Sequence, residues 1–357
     1  MIKNTLNRCK QVAVFFIGIS EMMKSNILNE VLEACISTAK ADPIKLVERD
    51  GKIFTTRGQL HCMLLLPSGS GKTTGLMKFP GKMNKDYCEM TEYRLPGIVG
   101  TISKDGEFLA GAIQQAAGKP LIIDEFHNLP ESGMKAMLKL LEGEIYSRAL
   151  GFHAKRPSTN RKKYCYSHVK DGSMWVSSRF SCICSGIFAR KTRINDHAFL
   201  SRFMPIKLNL EINDAYDMSC GKQLFDLKSN PYVEQPLFVD YLKFVRVHKE
   251  IVENLPPKLH NFLSQNIAYL RRNIVDFSRI FSYHSRGNSV VDDWEKYTPY
   301  IPFFLYNYAA STLTLTEFEI LESARTEKKQ IEIAMSLGIT EAYVSNTIKK
   351  LRGLGLV

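Results

Sequence analysis

A glycine-rich loop carries the strongest chemical signal in the sequence. It consists of Pro67, Ser68, Gly69, Ser70, Gly71, Lys72, Thr73 and Thr74. A compact apolar segment before it, residues 59–66, predicts a buried strand, and a helix is expected to start at Lys72. Glycines that adopt positive φ let backbone N–H groups converge on phosphates. Lys72 would then reach the β and γ phosphates of ATP and Thr73 would bind Mg²⁺, although Leu66 stands where the phosphate-loop pattern begins with Gly. The alternative is an ordinary Gly/Ser turn that opens a helix.

Two acidic residues follow a second apolar strand about fifty residues later. The strand is predicted over Pro120 to Ile123, and Asp124 and Glu125 come directly after it. At the carboxyl end of a parallel strand Asp124 can hold Mg²⁺ through water, and Glu125 can polarise an attacking water molecule. Without the upstream loop, such a pair would more often be acids that start a helix.

Two more residues are candidates for sensing or stabilising a phosphate. Ser185 ends a short strand predicted over Phe180 to Cys184, where it is either a polar sensor or a turn residue. Arg202 lies about twenty residues further on, where it could reach the γ phosphate held by a neighbouring subunit. An ion pair within its own chain is the alternative for Arg202.

Positive charge is concentrated in one part of the chain. The net charge is +12 and the isoelectric point is near 9.2, which is typical of proteins that meet phosphate backbones. Residues 151–200 hold ten basic and two acidic residues, a net charge of +8. Candidate phosphate contacts there are Lys155, Arg156, Arg161, Lys162 and Lys163, which lie among Tyr164, Tyr166 and Trp175. A solvated basic loop is the alternative.

Composition excludes several classes of protein. Hydrophobic residues make up 45% and charged residues 24%, so wholesale disorder is excluded. The apolar run Val12 to Ile19 is too short for a membrane span of about 20 residues, and no small-residue cleavage site follows it. Eight scattered cysteines predict a reducing, cytoplasmic setting. A zinc cluster could be imagined at Cys165, His168, Cys182 and Cys184, but the spacing favours core packing.

Helical spacing dominates the second half of the chain. It is evident in Phe238 to Glu253 and in Leu259 to Tyr283. Three shorter helices are predicted at the C-terminal end, over Thr316 to Ala324, Glu327 to Leu337 and Thr340 to Leu351, in a helix-turn-helix pattern. Lys349 and Lys350 would face outward toward DNA, unless this module contacts protein instead.

Taken together, these segments resemble the AAA+ ATPases, and among them the minichromosome-maintenance-like (MCM-like) helicases. The similarity covers residues 60–203. Residues 95–112, leading into Leu121-Ile122-Ile123-Asp124-Glu125-Phe126, look like the insert, helix and Walker B strand of that branch. The resemblance implies that residues 151–178 form a pre-sensor β-hairpin. It also implies that Leu270 to Phe277 is a lid helix whose Arg271 or Arg272 is the second sensor. The RuvB branch-migration motor is also similar in length and in ending with a winged helix.

The expected fold is therefore an α/β, P-loop AAA+ parallel-sheet domain with a helical lid and a C-terminal winged-helix domain. The expected units are an N-terminal helical segment (1–58), the nucleotide-binding core (59–208), the lid (209–311) and the winged helix (312–357). The resemblance implies a DNA helicase or translocase that uses ATP and Mg²⁺. Because Arg202 would act on a neighbouring subunit, a ring or filament is expected, most simply a hexamer. No membrane association is expected, since no apolar run is long enough for a span. A DNA loader or transposition-type regulator, or an ATP-switched transcription regulator, is the alternative.

Overall fold

The fold is seen in a computed structural model. It describes residues 31–47, 51–65, 77, 86–103, 107–150, 158–186, 201–207, 238–240, 276, 290–291, 313–325, 328–354 and 356–357. The strands, in chain order, are β1 (Ile44–Val47), β2 (Ile53–Thr56), β3 (His61–Leu65), β4 (Cys88–Glu89), β5 (Thr101–Ile102), β6 (Phe108–Leu109), β7 (Pro120–Ile123), β8 (Tyr146–Ala149), β9 (Ser158–Lys162), β10 (Cys165–Lys170), β11 (Ser173–Ser178), β12 (Ser181–Ser185), β13 (Met204–Lys207), β14 (Phe238–Asp240) and β15 (Val290–Val291). The helices are α1 (Leu95–Val99), α2 (Ala112–Gln115), α3 (Glu131–Leu140), α4 (Leu315–Arg325), α5 (Gln330–Leu337) and α6 (Glu341–Leu354). Residues 31–37 are also helical, and 3-10 turns cover Thr38–Lys40 and Phe126–Asn128.

A parallel five-stranded sheet forms the centre of the fold. Its strand order is β13-β3-β12-β7-β4, and all four pairings are parallel. Strands β3, β7 and β12 are buried along their whole length, which is why they appear in the sequence as continuous apolar runs. The sheet therefore confirms the expected mixed α/β architecture with a parallel sheet.

Aromatic side chains fill the core beside this sheet. Phe126, Phe180 and Phe203 are its largest fully buried side chains. Phe126 and Phe203 meet edge to face with ring centroids 5.8 Å apart. Because Phe126 directly follows the two candidate acids and Phe203 directly follows Arg202, this contact holds both candidate segments against one core.

A second sheet joins strands from two of the expected units. Its order is β15-β14-β1-β2, so strands from residues 1–58 pair with strands from residues 209–311. Phe238–Asp240 were expected to begin a helix but form a strand, because parallel pairing with β1 overrides the local helical spacing. β1 itself was not anticipated in the N-terminal segment.

The spacing of Glu107 to Ala117 predicts a helix, but a small hairpin occupies the start of this segment. β5 and β6 pair antiparallel, and only Ala112–Gln115 form a helix. Gly100 ends α1 at φ 82°, and a Cβ there would come within 2.6 Å of the Leu109 carbonyl oxygen. Glycine is thus required for the close approach at the base of the hairpin.

The C-terminal helices match the expected helix-turn-helix pattern. α4, α5 and α6 pack on one another around Phe318, Ile333 and Val344, and Gly338 supplies the left-handed turn after α5. Residues 313–325 and 328–354 contain these helices and no strand, so the described residues include no wing. None of the helices in the described parts of the chain is both long enough and apolar enough to cross a membrane.

Candidate functional site

The acid pair lies where the sequence predicted it, directly after β7. Glu125 adopts a left-handed backbone conformation, with φ 49° and ψ 54°. This region is uncommon for a residue other than glycine and costs on the order of 1–3 kcal/mol, so surrounding contacts must hold it. A 3-10 turn, Phe126–Asn128, follows at once, and its buried Phe126 anchors the acid pair to the core.

Ser185 connects the end of β12 with both acids. Its Oγ donates a hydrogen bond to Asp124 Oδ1 and accepts one from the Glu125 N–H at 2.9 Å. Asp124 Oδ1 accepts a further bond from the same Glu125 N–H at 3.0 Å. The fully buried serine thereby stabilises the left-handed conformation of Glu125. Of the two roles left open for Ser185, the structure places it as the last residue of a strand beside the acids; its sensor role stays a prediction.

Two residues that sequence reasoning missed complete the surroundings of the acids. The Tyr93 hydroxyl donates to the backbone carbonyl oxygen of Asp124, and burial together with the charges of Asp124 and Glu125 raises the pKa of Tyr93. Asn128 Nδ2 donates to Glu125 Oε2 at 2.8 Å, between two exposed side chains. In the sequence, the short spacing between Asn128 and Glu125 was the one feature that could have indicated a contact with the acids. No local sequence pattern indicated Tyr93.

The glycine-rich loop itself, Pro67 to Thr74, lies outside the described residues. The strand that leads into the loop, β3, is among the described residues. It pairs with β12 so that Leu64 lies beside Ser185, and the Gly186 N–H donates a hydrogen bond to the Leu64 carbonyl at 3.2 Å. The chain therefore leaves β3 at the same edge of the sheet where Asp124 and Ser185 lie. The half-exposed Asp124 carboxylate and the Thr73 hydroxyl are oxygen donors of the kind that Mg²⁺ prefers.

Arg202 is held inside its own chain. Its Nε donates to the Leu138 carbonyl at 2.7 Å and lies 3.4 Å from Glu142 Oε1, and its side chain is 13% exposed. Its backbone carbonyl accepts a hydrogen bond from Arg57 Nη1 at 2.8 Å. The alternative considered for Arg202, an ion pair within the chain, is thus present, and action on a neighbouring subunit stays a prediction.

The expected lid sensors, Arg271 and Arg272, lie outside the described residues. Asp276, from the same predicted helix, is helical and buried, and its Oδ1 pairs with Arg57 Nη2 at 2.9 Å. The Arg57 guanidinium thus links the Asp276 carboxylate to the backbone carbonyl of Arg202, the residue before Phe203.

The expected DNA contacts fall on two different elements. Residues 158–178, within the expected hairpin, supply three strands of a four-stranded antiparallel sheet, β8-β11-β10-β9. Arg161 and Lys162 lie on β9 and Lys163 lies in the next turn. Lys155 and Arg156 lie outside the described residues. On α6, Lys349 is exposed, whereas Lys350 Nζ pairs with Glu317 Oε1 at 2.6 Å. Burial would raise the pKa of Glu317, but hydrogen bonds from Lys350 and Thr314 and the Lys350 charge hold it below its usual value.

Cys182 and Cys184 pack in the core, as expected, whereas Cys165 is half-buried. Cys182 and Cys184 are fully buried in β12, and burial raises the pKa of the Cys184 thiol well above its usual value. Among the described residues, no group of three or more His, Cys, Asp and Glu side chains is arranged to hold a metal ion.

Comparison with known proteins adds no relative. No protein-family model matches the chain, and no curated protein sequence is significantly similar to it.

Proposed function

We propose that this chain is an ATP-hydrolysing motor of the AAA+ class that acts on DNA, as an MCM-like helicase or translocase. The observation that carries the proposal is the convergence of three strand ends at one edge of the parallel sheet. The glycine-rich loop follows β3, Asp124 and Glu125 follow β7, and Ser185 ends β12. A phosphate-binding loop, two acids and a polar side chain are the groups that phosphoryl transfer requires.

The strand order supports a nucleotide site at this edge. From β3 the chain crosses over β12 and β7 to reach β4, whereas from β12 it crosses over β3 to reach β13. The neighbouring strands β3 and β12 thus have outgoing connections that run in opposite directions. In open α/β sheets such a switch point leaves a crevice at the carboxyl ends of the strands, where ligands bind.

Each residue at this edge has a defined role in the proposed reaction. Lys72 and the loop amides would hold the ATP phosphates, and Thr73 and Asp124 would hold Mg²⁺, which neutralises phosphate charge when bound. Glu125 would orient a water molecule and draw off its proton as the water oxygen bonds to the γ phosphorus and ADP departs. Ser185 and Asn128 would hold Glu125 in position through the bonds described above.

A ring of subunits, most simply a hexamer, is the assembly that fits this proposal. Arg202 would supply positive charge to ATP bound by the adjacent subunit. In the single chain the Arg202 guanidinium pairs with the Glu142 carboxylate. In the assembly, the γ phosphate of ATP on the adjacent subunit would replace this carboxylate. The Arg57 bond to the Arg202 backbone would persist through this exchange because it does not involve the Arg202 guanidinium.

DNA is the proposed substrate because of where the positive charge lies. Residues 151–200 carry a net charge of +8, and residues 158–178 within this segment contain three strands of the antiparallel sheet, β9, β10 and β11. The three C-terminal helices offer a second surface, with Lys349 exposed on α6. Strand displacement by the purified protein would distinguish a helicase from a loader that hydrolyses ATP without unwinding.

The decisive experiment separates ATP binding from ATP hydrolysis. Lys72→Ala should abolish binding of a fluorescent ATP analogue. Glu125→Gln should bind the analogue normally yet release phosphate at least about 100-fold more slowly, since positioning survives and water activation is lost. Glu144→Gln, which changes an exposed acid in the loop after α3, serves as the matched control and should behave as the parent. Equal loss of binding in the Lys72 and Glu125 variants would refute the assigned roles.

A further inference from the structure

The antiparallel sheet β8-β11-β10-β9 has two chemically different faces. Val169, Met174 and Val176 point inward and are buried in the core. The alternate residues, including Tyr166, His168 and Trp175, point outward and are half-buried. The outward face therefore presents aromatic rings at the surface.

These rings form one continuous stack with a cation at its end. The rings of Tyr166 and His168 lie 6.3 Å apart with 20° between their planes, and those of His168 and Trp175 lie 5.4 Å apart with 30° between them. The Arg161 guanidinium lies over Tyr166, 5.4 Å from the ring centroid. His168 Nδ1 is fixed by a 2.8 Å hydrogen bond with Thr159 Oγ1. The order of the stack is Arg161, Tyr166, His168, Trp175.

The Trp175 end of the stack is flanked by small residues. In the register of β11 and β8, Trp175 lies opposite Ser147 and Ser173 lies opposite Ala149. Ser147 and Ala149 are exposed, and neither is large enough to cover an indole face. A planar group of about the size of a nucleobase can therefore extend the stack on this side.

The charge around the stack favours an anionic ligand. Residues 158–178 contain four cations and one acid, a net charge of +3. Arg161, Lys162 and Lys163 lie at the start of β10, whereas Lys170 at its end pairs with Asp171 at 3.9 Å. A strand of nucleic acid running along β10 would meet the net positive charge at the start of the strand and the rings beyond it.

We propose that this outward face binds unpaired nucleic acid, with a base stacked on the Trp175 indole. The inference rests on the proposed function, in which the chain acts on DNA, and it specifies that the DNA bound at this face is unpaired. Bases inside a duplex already stack on both faces, so only an unpaired base can add to the stack without the cost of opening a pair. Flexible single strands also bring phosphates within reach of the cations at the start of β10.

The test uses Trp175 itself as the reporter. The chain has two tryptophans, so Trp294→Phe leaves Trp175 as the sole one. Titration with a 20-nucleotide oligothymidine should quench its fluorescence to saturation, because a stacked base contacts the indole. A blunt 20-base-pair duplex of mixed sequence should leave most of the fluorescence intact. Equal quenching by the duplex, or no quenching by the oligothymidine, would overturn the proposal.

Substitutions measure the contribution of the stack. Trp175→Ser should weaken oligothymidine binding, followed by fluorescence anisotropy, by roughly 5- to 150-fold, while Trp175→Phe, the matched control, should retain most of the affinity. The salt dependence should be unchanged in Trp175→Ser, because no phosphate contact is lost, and should be shallower in Lys162→Ala. Affinity in Trp175→Ser equal to that of the parent would refute stacking. If Trp175→Ser fails to fold, the quenching result in Trp294→Phe decides.

Failure of this inference can be told from failure of the proposed function. Oligothymidine binding is measured without ATP, and phosphate release is measured without DNA. Hydrolysis that depends on Lys72, with no quenching of Trp175, would refute the stacking site alone. Quenching without hydrolysis would support the stacking site and refute the ATPase.

Discussion

Arg57 and Asp276, 219 residues apart in the sequence, form an ion pair that is completely shielded from water. Their Nη2 and Oδ1 atoms lie 2.9 Å apart, and both side chains have zero exposure. The second terminal nitrogen of Arg57 donates to the Arg202 backbone. One guanidinium thus ties together a segment before the parallel sheet, the segment that precedes β13 and the region of the expected lid.

The first prediction concerns the stability that depends on this pair. Asp276→Asn should lower the free energy of unfolding by about 3–5 kcal/mol, because the Arg57 charge would remain buried without its partner. The melting temperature should fall by several degrees. Asp171→Asn, which breaks the exposed pair with Lys170, serves as the control and should change stability by less than about 1 kcal/mol.

A double variant separates loss of charge balance from loss of packing. Arg57→Met combined with Asp276→Leu removes both charges and retains apolar volume, so it should recover part of the stability lost in Asp276→Asn. A melting temperature of Asp276→Asn within a degree of the parent would show that the pair does not stabilise the fold.

Local patterns predicted the strand ends well and their partners poorly. Continuous apolar runs identified β3, β7 and β12, and the acids after β7 followed from position alone. The contact of Tyr93 with Asp124 depends on β4 pairing with β7 at the sheet edge, which no local pattern encodes. Phe238–Asp240 show the same limit, since pairing with β1 decided their conformation.

The backbone of Glu125 was unpredictable for a different reason. Glutamate has no preference for positive φ, so the sequence around it carries no sign of the left-handed conformation. That conformation is imposed by Ser185, which reaches it from a strand sixty residues later. Strain that distant contacts impose on a residue cannot be predicted from the local propensities of the sequence.

The second prediction tests how Glu125 is held. Asn128→Ala should lower the turnover number for ATP about tenfold without changing the affinity for the nucleotide, because it removes the hydrogen bond that fixes one carboxylate oxygen. Steady-state phosphate release and binding of a fluorescent ATP analogue measure the two quantities. A rise in KM with an unchanged turnover number would indicate that Asn128 contacts substrate rather than Glu125.

The third prediction is that Arg202 acts across subunits. Arg202→Ala and Lys72→Ala should each be inactive alone, and mixing them should restore part of the ATPase activity at interfaces that join an intact Lys72 to an intact Arg202. Mass photometry should verify mixed assemblies at each ratio. Because Arg202 also contacts Leu138 and Glu142, Glu142→Gln controls for the loss of that local contact. Mixed assemblies without recovered activity would count against a shared site.

The fourth prediction uses the buried His61 at the start of β3. Burial, and then the charge of Arg57, lower the pKa of His61 well below its usual value, while its Nε2 lies 2.8 Å from the Leu141 carbonyl. The lowered pKa keeps the ring neutral, and because a carbonyl only accepts, its one proton lies on Nε2. The unfolded chain binds a proton below about pH 6.5 and the folded chain does not, so stability falls as the pH falls.

The size of this effect is set by one proton. Between pH 7 and pH 5 the loss should approach about 2 kcal/mol for His61 alone, seen as a lower urea midpoint. His61→Gln retains a donor for Leu141 but does not titrate, so its stability should depend less on pH than that of the parent. An identical pH dependence in both proteins would mean that His61 titrates normally in the fold.

The fifth prediction identifies the principal DNA contact. Replacing Lys155, Arg156, Lys162 and Lys163 by Ala should weaken DNA binding, and each lost phosphate contact should reduce the log–log salt slope by about 0.7 to 0.9. Basal ATP hydrolysis should persist, because none of these side chains is assigned to the nucleotide. Deleting residues 312–357 should leave the salt-dependent DNA binding largely intact. It should remove any preference for duplex DNA that α6 supplies through Lys349. An unchanged slope in the fourfold variant, together with loss of binding in the deletion, would assign DNA binding to the C-terminal helices, because the four replaced cations would then make no phosphate contacts.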